Sequence, residues 1–260
     1  YEISACLVGS EMCIRDSSAD IDSYSPDAGR EIHLWYYLGN NNQKWKLVDI
    51  GNGYWAFQGT YGSKRFSVKP DEIDDVMIAS VVPTVMHSLT NGVKRYLDCS
   101  PMVVGPGIKT GMNIRMDNPR ELGADRIVNA VAAIHKYKPP LVIVDFGTAT
   151  TFCAVDRNGN YVGGVIAAGI KISMDALFEK TAKLPKVEII KPSSVIGRNT
   201  IDAIQSGAVY GQAGQADGII RRIKKEIGED ATVVATGGLA TMISKESDEI
   251  DKVDSLLTLD

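Results

Sequence analysis

The chain has 260 residues, a hydrophobic content of 44% and a formal net charge of −4. This length accommodates one large domain or two ordinary ones, each with a buried core. The charge provides no basic surface for DNA or RNA, and no run of about 18 apolar residues offers a membrane span. We therefore expect a small-molecule ligand, with no nucleic acid and no membrane as partner.

The cysteines and the first residues of the chain indicate where the protein resides. Its 4 cysteines are scattered without the spacing of metal ligands, and Cys153 lies in a pattern typical of a reduced, buried thiol. The first residues lack the basic start and apolar segment of a secretory signal. A reducing, cytoplasmic location is expected.

The first quarter of the chain differs in composition from the rest. Residues 1–17 resemble translated adapter sequence, so we interpret them as a non-native segment. Residues 18–69 contain all 3 tryptophans. Within them, Asn42-Gln43-Lys44-Trp45 followed by Gly51-Asn52-Gly53-Tyr54 resembles one repeat of a ricin-type β-trefoil lectin. A trefoil needs three such repeats, which favours an orphan fragment, while sugar binding stays open as an alternative.

From Asp71 onward, buried apolar runs alternate with helical patterns, which predicts an α/β fold. Val76–Val82 is a predicted strand stopped by Pro83, and a helix follows to about Leu97. A short strand near 102–104 precedes the Gly/Pro loop 105–111. The first part of this region therefore predicts a strand, a helix and a second strand.

The second part of this region begins where Asn118-Pro119 introduces a helix predicted from about Gly123 to Tyr137. The strand 141–145 then turns into a second strand containing Phe152 and Val155. Asn158-Gly159 predicts a hairpin. The remaining predicted elements are helices at 173–183, 200–225 and 240–246 and a strand at 231–235.

The end of the strand 141–145 has the composition of a ligand site. Four apolar residues are typical of a strand buried on both faces, and Asp145, Gly147 and Thr148 follow at its carboxyl end. Open α/β sheets bind ligands at this end of their strands. A carboxylate can hold a cation, and glycine lets phosphate approach the backbone. The string therefore predicts a nucleotide site, with an ordinary turn as the alternative.

A second candidate is the helix start Gly123-Ala124-Asp125-Arg126. The first turn of a helix favours an ionised carboxylate, so Asp125 could accept a proton. Arg126 offers a fork-shaped donor to an anionic substrate. The alternative is that Asp125 only stabilises the first turn and that Arg126 is surface-exposed.

Two further turns precede helices. Gly237 and Gly238 follow the strand 231–235, and together with the turn after Asp145 they suggest a nucleotide held between two turns. Close packing of a helix on the sheet would also explain them. Thr200 or Asn199 is the expected N-cap of the helix that follows, so capping alone would explain that pair.

Five ordered motifs together resemble type III pantothenate kinase over residues 70–260. They are Ser80–Pro83, Val103–Gly107, Asn118–Arg126, Asp145–Thr151 and Thr236–Ala240. The resemblance implies the duplicated α/β fold of actin-like ATPases and sugar kinases (ribonuclease H-like), with 70–138 as the remainder of the first lobe and 139–260 as the second. It also implies a homodimer that transfers the γ-phosphoryl group of ATP to pantothenate, giving 4'-phosphopantothenate in the first step of coenzyme A biosynthesis.

The resemblance also implies roles for individual residues. Asp125 corresponds to the general base, and Asp145 to the ligand of a monovalent cation, K⁺ or NH₄⁺, that acts beside ATP and Mg²⁺. We expect these two carboxylates to meet across one cleft. Pantothenate would contact Gly123, Ala124, Asp125, Arg126 and Thr200, and ATP would contact Gly147, Thr148, Gly237 and Gly238.

The chain departs from the family pattern in ways that affect activity. No complete Asp-x-Gly-Asn-Thr phosphate loop is present. The nearest string, Asp49-Ile50-Gly51-Asn52-Gly53, lacks the threonine and lies unusually close to Ser80. The second lobe is also expected to be truncated, since the chain ends at Asp260 before the terminal helix of the family. These departures predict weak or absent activity. The alternative function is a carbohydrate-binding fragment fused to a non-catalytic kinase relative.

Overall fold

The computed structural model describes residues 18–21, 32–35, 45–51, 54–59, 65–68, 75–79, 83–97, 99–105 and 107–258. Contacts divide the chain into two compact units. The first contains the described residues up to Ile108 together with Leu122–Val128, and the second contains Lys109–Glu121 and Asn129–Thr258. The predicted non-native segment 1–17 lies outside the described residues.

The early part of the first unit consists of antiparallel strands. β1 (Ser18–Ile21) pairs with β2 (Ile32–Trp35). β3 (Trp45–Gly51), β4 (Tyr54–Gly59) and β5 (Arg65–Val68) form a three-stranded meander. The lectin-like origin of this region stays a prediction.

A strand–helix–strand segment follows in the same unit. β6 (Met77–Ala79) pairs in parallel with β7 (Met102–Val104), and α1 (Pro83–Leu97) connects them. Proline suits the first position of α1 because its fixed φ is helical and its missing N–H would have no partner there. The predicted helix end and second strand are confirmed. Residues 80–82 of the predicted first strand lie outside the described residues.

Helix α2 (Ala124–Lys136) begins after a 3₁₀ turn at Pro119–Glu121 and Gly123. Ile127, Ala130 and Ala133 recur at helical spacing and are buried. They form the apolar face of the helix. The predicted helix over 123–137 is confirmed.

A mixed five-stranded sheet organises the second unit. Its strands are β8 (Leu141–Phe146), β9 (Ala149–Val155), β10 (Tyr161–Ala168), β11 (Thr232–Thr236) and β12 (Lys252–Val253), in the spatial order β10-β9-β8-β11-β12. β8, β9 and β10 form an antiparallel meander, while β11 runs parallel to β8 and β12. The predicted hairpin at Asn158-Gly159 is confirmed.

The centre of this sheet is fully enclosed. Val142 and Val144 of β8 and Val233 and Ala235 of β11 are buried against helices of the same unit. A continuous apolar strand is stable only when both of its faces are covered. The parallel register places Asp145 beside Thr236, at the carboxyl ends of the two central strands.

Three helices of the second unit complete the core. They are α3 (Ile170–Glu179), α4 (Thr200–Ile227) and α5 (Ala240–Ile243), the last continued by a 3₁₀ turn at Ser244–Glu246. The observed α3 starts and ends earlier than the predicted helix 173–183. It starts at Ile170 because the Gly169 carbonyl accepts the Ser173 N–H. Together with the mixed sheet, these helices confirm the α/β class.

Candidate functional site

Asp145 ends strand β8 and is held by a buried amide. The Asn129 Nδ2 atom donates to Asp145 Oδ2 over 3.0 Å. The Thr258 hydroxyl donates in turn to Asn129 Oδ1 over 2.7 Å. Asn129 is only 2% exposed, whereas Asp145 is partly exposed. One oxygen of the carboxylate is therefore fixed from inside the second unit.

The glycine turn after β11 lies directly against this carboxylate. Gly237 has a φ of +90°, and a Cβ atom there would lie 2.5 Å from Asp145 Oδ1 and 2.8 Å from the Phe146 nitrogen. A contact below 3.0 Å is not available to a real Cβ, so only glycine fits without displacing the carboxylate. The structure thus brings together Asp145 and Gly237, two of the residues selected from the sequence.

Thr236 adds a second oxygen at the same strand ends. Among the described residues, its buried Oγ1 atom has no hydrogen-bond partner, and the side chain is 1% exposed. Buried polar atoms are usually satisfied, so an unpaired hydroxyl is expected to have a ligand or ion as partner. A carboxylate, a hydroxyl and nearby backbone carbonyls are hard oxygen donors of the kind that bind K⁺ or Mg²⁺. These residues therefore fit a cation.

The oxygen atoms at these strand ends are few, so they suit an ion that takes most of its ligands from the substrate or from water. In the described ranges, no group of three or more His, Cys, Asp or Glu side chains is placed to hold a metal. Mg²⁺ in phosphoryl-transfer sites is bound by one or two carboxylates together with substrate phosphates. A single carboxylate at Asp145 is compatible with that arrangement.

The turn after β8 is fixed by its own backbone. The Gly147 N–H donates to the Ala149 carbonyl over 3.1 Å, and the Gly169 N–H donates to the Thr148 carbonyl over 3.1 Å. A Cβ on Gly169 would lie 2.2 Å from the Thr148 oxygen, so that residue must be glycine. Because the Gly147 N–H is engaged within the turn, the half-buried Thr148 is the more suitable contact for a phosphate.

Asp125 lies in the first turn of α2 and is half-buried. The Gly123 carbonyl accepts the Ile127 N–H over 3.1 Å, which opens the helix at Ala124. Arg126 is only 8% exposed, so the alternative of a surface-exposed arginine is wrong. A guanidinium has the fork geometry that pairs with a carboxylate, as the role implied by the resemblance requires.

The remaining sequence-selected residues belong to the second unit. The Asn199 side chain accepts the Asp202 N–H over 2.9 Å, so Asn199 and not Thr200 is the N-cap of α4. Thr200 is exposed at the first position of the helix. A surface cavity of about 280 Å³ lies at this helix start and is lined by Pro192, Ser193, Ser194, Ile196, Arg198 and Asp202.

The sequence-selected residues fall into two groups. Gly123 to Arg126 are in the first unit, and the second unit contains Asp145, Gly147, Thr148, Thr200, Gly237 and Gly238. The convergence of Asp125 and Asp145 in one cleft stays a prediction. Asn129 and Thr258 were not selected from the sequence. A buried asparagine on the apolar face of α2, one turn after Asp125, was the signal that could have indicated the first of them.

The second unit exposes several large apolar side chains. Ile166 of β10 and Ile196 before α4 are 65% and 78% exposed. Val165, Ile172, Leu177 and Phe178 are also exposed. In the part of the chain that the structure describes, no helix combines the length and apolarity required to traverse a bilayer.

The second unit thus has the arrangement of a ligand-binding α/β protein, with a carboxylate and a glycine turn at the ends of adjacent parallel strands. The family model of type III pantothenate kinase matches residues 39–222. The match covers well over half of the chain, which therefore belongs to the type III pantothenate kinase family. This family consists of phosphotransferases, and membership agrees with the actin-like ATPase fold predicted from the sequence motifs.

The family match begins inside the segment 18–69 that resembles a lectin repeat. It includes the incomplete phosphate-loop string Asp49–Gly53 and strands β3 to β5. The match ends within helix α4, before β11 and the Gly237 turn. The residues selected at Gly123 to Arg126, Asp145 to Thr148 and Thr200 lie inside it.

Two solved structures are similar to this chain. One is a protein of Campylobacter jejuni described as a Baf family transcriptional activator, with 19% identity and a TM-score of 0.47, covering 80% of this chain and 90% of that chain. The other is the activator of the 2-hydroxyisocaproyl-CoA dehydratase from Clostridium difficile with bound ADPNP. Its identity is 12% and its TM-score 0.34, covering 82% of this chain and 91% of that chain.

Proposed function

We propose that this chain phosphorylates pantothenate with ATP to give 4'-phosphopantothenate, the first step of coenzyme A biosynthesis. Family membership supports the reaction class and the use of ATP. The contact of the Gly237 turn with the Asp145 carboxylate is the structural observation that supports it most, because it places a charge and an unobstructed backbone at adjacent strand ends.

In this proposal Asp125 is the general base. It accepts the proton of the primary hydroxyl of pantothenate as that oxygen attacks the γ-phosphorus of ATP, and the bond from phosphorus to the bridging oxygen breaks. The guanidinium of Arg126 binds the substrate carboxylate. Gly123 and Ala124 let pantothenate approach the start of helix α2. The Thr200 hydroxyl donates a hydrogen bond to pantothenate.

Thr148 and the glycines Gly147, Gly237 and Gly238 contact ATP. Asp145 holds a monovalent cation, K⁺ or NH₄⁺, and Mg²⁺ is bound mainly by the phosphates. Such ions would supply charge neutralisation on the nucleotide, and Asp145 is the residue that would hold the monovalent one. Phosphoryl transfer depends mostly on positioning and charge neutralisation, which are the contributions these residues can make.

We also propose that the activity of this chain is weak. The string Asp49–Gly53 has the acid, glycine and asparagine of the phosphate loop but a glycine in place of the threonine. The missing hydroxyl would reduce the stabilisation of the triphosphate. The variant Gly53→Thr, which completes the pattern, is therefore the right background for measuring turnover.

A homodimer in the cytoplasm is the assembly that we propose. The family resemblance implies it, and exposed apolar side chains such as Ile166 and Phe178 are available for a second copy to cover. Light scattering in solution would give the mass of two chains. A monomeric mass at micromolar concentration would contradict this assembly.

The test of the proposed reaction is Asp125→Asn. Removing the base should lower turnover by roughly 10²- to 10⁴-fold while leaving pantothenate binding largely intact. Turnover is measured as ADP release from four proteins, namely the parent and Gly53→Thr, each with and without Asp125→Asn. Calorimetry measures the binding of pantothenate. Equal turnover with and without Asp125 would exclude it as the base. If the full chain binds glycans and not pantothenate, the carbohydrate-binding alternative is favoured instead.

A further inference from the structure

We propose that Asn129 is a positioning residue for the cation site, with the Thr258 hydroxyl as the hydrogen-bond partner that holds its amide oxygen. This inference rests on the proposed function, in which Asp145 is the cation ligand. Neither residue belongs to the motifs that indicated the site, and each is far from Asp145 along the chain. Both act through a chain of hydrogen bonds from Thr258 to Asn129 to Asp145.

The donors and acceptors in these two hydrogen bonds can be assigned from the groups that form them. A threonine hydroxyl can donate or accept, whereas an amide oxygen can only accept. With the Thr258 hydroxyl donating to Asn129 Oδ1, the amide nitrogen faces the Asp145 carboxylate and donates to it. The reversed amide would place its oxygen against a carboxylate oxygen, which is repulsive. The Asp145 carboxylate, which can only accept, therefore selects the amide orientation, and the Thr258 hydroxyl satisfies the amide oxygen and holds the side chain in place.

The consequence for the cation is geometric. Asn129 holds Oδ2, while Oδ1 lies on the side of the Gly237 turn, beside the strand position of Thr236. Holding one oxygen fixes the plane of the carboxylate, so the other oxygen keeps a constant direction. The amide is neutral, so it orients the carboxylate without competing with a cation for the site as an arginine or lysine would. Loss of such an outer partner usually lowers metal affinity by roughly 10- to 100-fold.

The experiment measures binding of the thallous ion, an NMR-visible substitute for K⁺, to the full chain without nucleotide. Asn129→Leu removes the amide at similar volume, and Thr258→Val removes only the hydroxyl. Thr258→Ser restores the donor. Tyr137→Phe is the matched control, because it removes a hydrogen bond of 3.0 Å to a different carboxylate, Asp254, in the same unit. Urea unfolding shows which variants are folded.

We expect Asn129→Leu to weaken thallous binding by roughly 10- to 100-fold and Thr258→Val to weaken it less. Thr258→Ser and Tyr137→Phe should bind as the parent does. Parent-like binding by both Asn129→Leu and Thr258→Val, with loss of binding in Asp145→Asn, would overturn the positioning role alone. If Asn129→Leu does not fold, the thallous affinities of Thr258→Val and Thr258→Ser are compared instead, and equal affinities would overturn the positioning role. If the parent does not bind the thallous ion, or if the Asp145→Asn variant still binds it, the proposed cation role of Asp145 and this inference are both overturned.

Discussion

Gly237 combines a φ of +90° with a position where a Cβ atom would contact both Asp145 and Phe146. The sequence motif identified this glycine and the acid before their contact was known. It did not identify Asn129 or Thr258, because their role depends on a tertiary contact between residues distant in the chain. Short motifs reveal residues whose chemistry and local turn coincide, but not the neutral side chains that support them.

At this scale we predict the effect of Gly237→Ala. The added methyl group must displace the carboxylate or the Phe146 backbone, and alanine is strained at positive φ, so the free energy of unfolding should fall by about 1–3 kcal/mol or more. Urea unfolding measures the change. Gly111→Ala is the control, since Gly111 has a φ of +74° but no heavy atom within 4 Å of the place that a Cβ atom would occupy. Equal losses for the two variants would show that strain alone, and not the contact with Asp145, is responsible.

Among the elements, α4 shows how local chemistry fixes a boundary. The Asn199 side chain caps the helix start, and Gly228 with a φ of +135° follows its last residue. The start was predicted closely, because Asn is preferred as an N-cap, and the predicted end at 225 lies near the observed end at Ile227. The extent of β10 and the presence of β12 were not predicted. Gly163 and Gly164 interrupt the pattern of β10, and β12 has only 2 residues, so tertiary pairing defines both strands.

We predict that Asn199→Ala will lower the free energy of unfolding by about 1 kcal/mol, because the Asp202 N–H loses its acceptor. Asn199→Ser should remain within a few tenths of a kcal/mol of the parent, since serine caps about as well as asparagine. Chemical denaturation followed by circular dichroism checks both variants. If serine is as destabilising as alanine, the capping role of Asn199 is wrong.

For the whole molecule, ion pairs across the second unit determine its response to acid. Burial opposes ionisation of Asp254, but hydrogen bonds from Lys136 and Tyr137 outweigh it and hold the pKa below its ordinary value. A hydrogen bond from Lys224 also lowers the pKa of Glu249. A depressed pKa in the folded state means that the ionised group stabilises the fold above its ordinary pKa of about 4. This contribution is lost as the pH falls through the depressed value.

The variant Asp254→Asn tests this dependence. It should unfold about 1.5–3 kcal/mol more easily than the parent at pH 7, the usual contribution of hydrogen bonds to a charged group. As the pH falls below about 4, the parent should lose stability and the difference should narrow. Urea unfolding at several pH values between neutral and pH 3 measures it. A difference that stays constant over this range would show that ionisation of Asp254 is not the cause.

At the same scale, the sequence indicated the α/β class and the alternation of elements, because periodicity and turn residues are local properties. The pairing of β8 with β11 was not predicted, since no local pattern specifies which distant strand becomes a neighbour. The arrangement of Asp125 relative to Asp145 depends on how the two units are joined. That arrangement is therefore the part of the proposed mechanism for which binding and turnover measurements on Asp125→Asn are most informative.

The strand order β10-β9-β8-β11-β12 also determines how this sheet can assemble. The meander β8-β9-β10 needs only short turns, whereas the pairing of Asp145 with Thr236 closes a long loop that contains α3 and α4. Loop closure costs more entropy for distant residues, so we expect the meander to form first and to serve as the folding nucleus. Since the cation site is completed only by β11 and Thr258, ligand affinity should be gained in the last step of folding.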